Sequence, residues 1–152
     1  MKRILFLHGL ESKPGGSKVA HLSSLGYEIL NPLLSADDFN DSLNVAQKEL
    51  KKHPDIIVGS SRGGALALAL RDHDLPLVLI APAWRRFGVS TDVGAGTVIL
   101  HSEHDDIVPF EDTQELFRKN TGLEVIACGN SHRMNDKDAM HHLADAVERL
   151  IG

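Results

Sequence analysis

The sequence predicts a three-layer α/β/α sandwich around a mainly parallel sheet of about six strands, and three observations carry that prediction. Short apolar runs alternate along the chain with longer amphipathic stretches. Most of the runs are near-continuous in apolar residues rather than alternating, the pattern of strands covered on both faces. A regular strand–helix alternation of this kind builds a parallel sheet with right-handed crossovers.

The first strand is expected at residues 3–7. Met1-Lys2-Arg3 resembles the charged start of a signal peptide, but the apolar run behind it, Ile4 to Leu7, ends at His8-Gly9. A signal core needs about 7–15 apolar residues and a membrane helix about 20. The run therefore reads as a buried strand, and a cytoplasmic location is expected. Further strands follow at 27–30, 56–58, 77–80, 97–100 and 124–127. Between them, Phe39, Leu43, Ala46 and Leu50 recur at helical spacing, as do Ala139, Leu143, Ala146, Val147 and Leu150 near the C-terminus. Residues 65–70 are apolar on every side, which suits a helix packed between the sheet and its neighbours. Segment 81–96 holds Pro82, Gly88, Gly94 and Gly96 and reads as a loop or short irregular helix.

The length of 152 residues suits one domain, and an apolar fraction of 42% with 24% charged residues excludes disorder, collagen and coiled coil. A formal charge of −5 gives no footing for nucleic acid or an anionic membrane as partner. Cys128 is the single cysteine, which excludes an intrachain disulfide or a cysteine-built zinc cluster and suits a reducing compartment.

In an open parallel sheet, ligands bind beyond the carboxyl ends of the strands. Those junctions read His8-Gly9-Leu10, Gly59-Ser60-Ser61-Arg62-Gly63, Ala81-Pro82, His101 through Asp106, and Gly129-Asn130-Ser131-His132. The second is a strand, G-x-S-x-G and an apolar helix in succession, which holds a serine hydroxyl exposed on a sharp turn. Ser61 is central between Gly59 and Gly63, and Ser60 is the rival without that symmetry. A capping serine in a glycine-rich turn is the plainer reading. A serine nucleophile needs a base, ordinarily a histidine oriented by a carboxylate. The chain offers Ser61, then Asp105-Asp106, then His132, each after a separate expected strand. Among the other histidines, His8 reads as a brace for its loop, and His141 and His142 as solvent-facing on the last helix. His101 and His104 lack a third metal ligand.

With these segments in order, the chain resembles a small member of the α/β-hydrolase superfamily, in its compact esterase and thioesterase-like branch. Residues 5–10 resemble the family's strand and His-Gly oxyanion segment, and Gly59 to Gly63 its nucleophile elbow. Residues 101–109 resemble its His-Gly-x-x-Asp-x-x-Val-Pro acid loop, and 129–133 its histidine loop. The resemblance implies strand order 2-1-3-4-5-6, Ser61 as nucleophile, His132 as base and Asp105 as acid, with Asp106 the alternative. Ser102 departs from the glycine common in that loop. An oxyanion hole is implied at the backbone N–H groups of Arg62 and Leu10.

The family often inserts a lid domain where this chain has only residues 81–96, so a single lid-less domain over 1–152 is expected. An open, shallow site favours small soluble esters or thioesters. Trp84 and Phe87 are expected as one wall of the acyl site, or else as cover for the sheet edge. Arg85 and Arg86 either meet an anionic substrate group or lie solvated. No cofactor and no metal are expected. The implied activity is serine hydrolysis of a small ester or thioester through an acyl-enzyme. The alternatives are a non-catalytic binding protein on the same scaffold, and amide or carbon–carbon hydrolysis by the same three residues.

Overall fold

The computed structural model describes residues 1–9, 14–90, 92–94 and 96–152. Along them run β1 (Arg3–Leu7), α1 (Ser17–Ser24), β2 (Glu28–Leu30), α2 (Phe39–Glu49), β3 (Ile56–Ser60) and α3 (Arg62–Ala69). The second half adds β4 (Leu77–Ile80), β5 (Thr97–His101), α4 (Phe110–Lys119), β6 (Glu124–Ala127) and α5 (Lys137–Ile151). The strands form one sheet in the order β2-β1-β3-β4-β5-β6, every pair parallel. This is the expected fold class and strand order.

The near-continuous apolar runs are explained by two core layers. Ile4, Phe6, Ile56, Val58, Val78, Ile80, Val98 and Leu100 face one side, against Leu22 of α1 and Ala139, Leu143, Ala146 and Val147 of α5. Leu5, Leu7, Ile57, Leu77, Leu79 and Ile99 face the other, against α2, α3 and α4. Each of the four central strands therefore buries both of its alternating sets.

Helices α1 and α4 were not expected from the sequence; α1 buries Leu22, and α4 buries Thr113 and Leu116. Helix α3 begins at Arg62, before the apolar run at 65–70, and so contains Gly63 and Gly64. Glycine disfavours a helix by about 1 kcal/mol each. Here close packing requires it. A Cβ on Gly63 would overlap the Leu7 carbonyl of β1, and one on Gly59 would overlap the backbone of Gly63. Only glycines let α3 rest directly on β1 and β3, which sets the height of Ser61 above the sheet edge. The described part of segment 81–96 forms turns. No helix among the described residues is long and apolar enough to cross a membrane.

Candidate active site

Ser61 sits between β3 and α3 with φ 57° and ψ −113°. Positive φ is rare for a side-chain-bearing residue and stores about 1–3 kcal/mol of strain. The surroundings enforce it. The Ser61 N–H donates to the Ile80 carbonyl at 2.8 Å, and the Ser61 carbonyl accepts from the Ala83 N–H at 3.0 Å. The plainer reading of Ser61 as a helix cap does not hold, because its side chain makes no capping hydrogen bond. Its hydroxyl is directed across the sheet edge instead. A glycine tolerates this backbone without strain. Ser61→Gly is therefore expected to raise stability by about 1 kcal/mol, net of glycine's own entropy. Chemical denaturation checks it, and a less stable variant would show that the elbow is unstrained.

His132 lies in the loop after β6, with Nε2 3.0 Å from Ser61 Oγ and Nδ1 2.7 Å from Asp105 Oδ2. A carboxylate only accepts, so Nδ1 carries the hydrogen and Nε2 presents its lone pair to the serine hydroxyl. Asp105, whose side chain is fully buried, is held by four donors. Its Oδ1 accepts the N–H groups of Ile107 and Val108, both at 2.8 Å, and its Oδ2 accepts His132 and His101. The structure brings Ser61, His132 and Asp105 together and leaves Asp106 exposed. Ser60 ends β3 and lines the cleft, but the hydroxyl that reaches His132 belongs to Ser61.

With this geometry in view, similarity to solved structures decides the fold. Alpha/beta hydrolase domain-containing protein 10 from mouse superposes with TM-score 0.82 at 19% identity, covering 98% of this chain and 89% of that one. Est1E from Butyrivibrio proteoclasticus, solved with ferulic acid bound, gives 0.74 at 15%, covering 98% and 87%. This chain has the α/β-hydrolase fold. The esterase domain of a Rhodothermus marinus protein gives 0.69 at 20%, covering 99% and 88%. No family model and no curated protein matches the sequence.

Within this α/β-hydrolase fold, His101 has a role that the sequence did not reveal. It is fully buried at the end of β5. Its Nε2 lies 3.1 Å from Asp105 Oδ2 and 3.0 Å from the Val108 carbonyl. Neither oxygen donates, so Nε2 bears the hydrogen and Nδ1 accepts from the Thr113 hydroxyl at 2.6 Å. Both ring nitrogens are thus engaged, and His104 is exposed, so the pair considered for metal does not converge. Burial holds His101 below the ordinary histidine value, against opposing pulls from the Val108 carbonyl and Asp105. The four-residue spacing between His101 and Asp105, at a strand end, was the available signal.

Ser102 takes up the glycine position of the acid loop without disrupting it. Its buried hydroxyl donates to the Gly129 carbonyl at 3.1 Å and accepts the His104 N–H at 3.1 Å, tying acid loop to histidine loop. The histidine loop is further held by Asp136 and Asp138 of the α5 start, which accept the N–H groups of Asn130 and Gly129. His8 braces its loop as expected, donating from Nδ1 to the Gly9 carbonyl at 3.0 Å and accepting the Leu34 N–H at Nε2.

The cleft over Ser61 has two lobes. One, of about 200 Å³, is lined by Arg62, Ala83, Phe87, Val108 and Pro109. The other, of about 420 Å³, is lined by Gly9, Lys18, Arg86, His132 and Arg133. Ser61, Arg86 and Ile107 border both. Phe87 faces the smaller lobe. Trp84 does not share that wall. It is buried in the core, and its indole N–H donates to the Asp112 carbonyl at 3.0 Å. A large ring with one polar hydrogen is best satisfied where packing and a carbonyl coincide. Arg85 also borders the smaller lobe but is ion-paired with Asp112 and Glu115 at 3.0 and 2.6 Å, whereas Arg86, on both lobes, makes no ion pair among the described residues. The buried Arg62 guanidinium lies beside the stacked rings of Phe39 and Phe87, 5.6 and 5.7 Å from their centroids. Its backbone N–H opens α3, where a helix has no internal acceptor for it. Leu10, the other expected oxyanion contributor, lies outside the described residues.

Proposed function

We propose that the protein is a serine hydrolase, with Ser61 the nucleophile, His132 the base and Asp105 the acid, cleaving a small ester or thioester. The observation that carries this reading is the unbroken hydrogen-bonded line Ser61–His132–Asp105, set on a strained backbone at Ser61. His132 Nε2 takes the hydroxyl proton as Ser61 Oγ attacks the substrate carbonyl. The N–H groups of Arg62 and Leu10 receive the oxyanion. His132 then returns the proton to the leaving oxygen or sulfur, and an acyl-enzyme remains. A water deprotonated by His132 attacks that acyl group, releasing the acid and restoring Ser61. The turns among the described residues of 81–96 support an open, lid-less site for a small soluble substrate, and the one cysteine supports a cytoplasmic setting. A fluorophosphonate probe tests the reading: one label per chain, mapped to Ser61 by mass spectrometry, is expected. Labelling elsewhere, or none, would overturn it.

His101 acts through Asp105 as a positioning residue in this scheme, and it must stay neutral to accept from Thr113. The sign of its effect on stability follows from its lowered value. Below an ordinary histidine value of ~6.5 the unfolded chain takes up a proton here that the folded chain refuses. Stability is therefore full above that range and falls as pH drops from it toward the lower folded value. Melting temperature measured from pH 8 to 5 is expected to fall less steeply in His101→Gln than in the wild type. Equal slopes would remove His101 from the account. The same variant is expected to shift the pH profile of kcat/KM, because Asp105 loses one donor.

A further inference from the structure

Among the described residues, the cations around the larger lobe are unbalanced. Lys18, Arg86 and Arg133 line it together with Ser61 and His132, and no aspartate or glutamate is among its described lining residues. None of the three makes an ion pair among the described residues, in a chain whose formal charge is −5. Lys18 Nζ donates to the Arg133 carbonyl at 2.7 Å, and among the described residues Arg86 lies over the Phe87 ring at 5.6 Å without a hydrogen-bond partner. Arg85, next in sequence, has two carboxylate partners, so proximity in the chain does not explain the difference. Burial, and then the neighbouring Arg133 charge, hold the Lys18 ammonium below its ordinary value. Two like charges are thus held side by side with no described carboxylate lining the lobe beside them, an arrangement that a bound anion relieves.

The position of His132 says which half of the substrate brings that anion. The imidazolium must hand its proton to the departing oxygen or sulfur, so the leaving group lies on the His132 side of Ser61. That side is the lobe lined by Lys18, Arg86 and Arg133. The acyl group then takes the smaller lobe against Phe87, Ala83 and Val108, where the charge of Arg85 is balanced by Asp112 and Glu115. Resting on the hydrolase reading above, we infer that the substrate is an ester or thioester whose alcohol or thiol half carries a carboxylate or phosphate. Lys18, Arg86 and Arg133 recognise that oxyanion.

Two matched pairs of esters test this, and the pairs separate the halves of the substrate. 4-Acetoxybenzoate and its methyl ester differ by an anion on the leaving group, whereas mono-p-nitrophenyl adipate and p-nitrophenyl hexanoate differ by an anion on the acyl group. The wild type is expected to favour 4-acetoxybenzoate over its methyl ester by about tenfold in kcat/KM, and to show no such preference for the adipate. Raising ionic strength from about 0.05 to about 0.5 M shrinks that preference by screening. Arg86→Gln and Arg133→Gln each lower the ratio, and Arg133→Glu inverts it. A phosphate in place of the carboxylate on the leaving group distinguishes the two oxyanions. An equal rate for both members of the first pair overturns the inference, and a preference confined to the adipate overturns the placement. Inactivity toward all four esters defeats the hydrolase reading instead. The anion site is then decided by binding alone: 4-hydroxybenzoate must bind the wild type more tightly than methyl 4-hydroxybenzoate, and Arg133→Glu must abolish the difference. Equal binding overturns the inference independently of catalysis.

Discussion

Ser61→Ala is expected to lower kcat for p-nitrophenyl acetate by about 10⁴-fold or more and to abolish fluorophosphonate labelling. The substitution deletes one hydroxyl and leaves the rest of the elbow in place. The backbone bonds from Ser61 to Ile80 and Ala83 do not use the side chain, so the fold is expected to persist. His132 keeps its bond to Asp105 and stays in position with nothing to deprotonate. Catalysis remaining after this change comes from binding and oxyanion stabilisation alone. Ser60→Ala is the internal comparison. Its hydroxyl does not reach His132, so labelling and turnover should both survive. Full activity in Ser61→Ala would end the assignment, and an inactive Ser60→Ala beside an active Ser61→Ala would transfer it to Ser60.

Asp105→Asn is expected to lose about 10³–10⁴-fold in kcat/KM. The structure supplies a specific reason. Asp105 Oδ1 accepts two backbone N–H groups, from Ile107 and Val108, so an asparagine must place its amide oxygen there. Its NH₂ then faces His132 Nδ1 and donates to it. That forces the hydrogen of the imidazole onto Nε2, where it blocks proton transfer from Ser61. His101 is spared a serious clash because its Nε2–H retains the Val108 carbonyl. Asp106→Asn changes an exposed side chain and is expected to stay near the wild-type rate. Steady-state kinetics on both variants decide the matter, and the reverse ranking would move the acid role to Asp106.

The sheet was legible because its strands are short and apolar at nearly every position. Strands β1, β3, β4 and β5 each serve two core layers, and a run such as Leu77 to Ile80 has no other economical use. Helices with broad apolar faces, α2 and α5, were equally plain. Helix α4 was not identified, its inward face being short and built on Thr113 and Leu116 while Phe117 stays exposed. The start of α3 beside Ser61 was legible from the succession of strand, G-x-S-x-G and apolar helix, and the structure adds what Gly63 and Gly64 make room for, the close approach of Leu7 and Pro82.

At the site, Ser61, Asp105 and His132 were identifiable as candidates because strand ends and a glycine-framed turn are local signals. Local signals depend on backbone sterics and side-chain periodicity, and a few consecutive residues suffice to express them. The partners of those residues are of a different kind. His101 on Asp105, Ser102 on the Gly129 carbonyl, and Lys18 on the Arg133 carbonyl 115 positions away are set by which strand ends become neighbours. Trp84 and Arg86 divided in the same way, one drawn into the core by packing and a carbonyl, the other at the cleft with no described ion pair while Asp112 and Glu115 pair with Arg85. The sequence by itself determined an alternating α/β chain with reactive residues beyond its strands. Tertiary structure decided how those residues pair and which charges remain unpaired, because hydrogen bonds and ion pairs are settled between groups that only the closed sheet brings within reach.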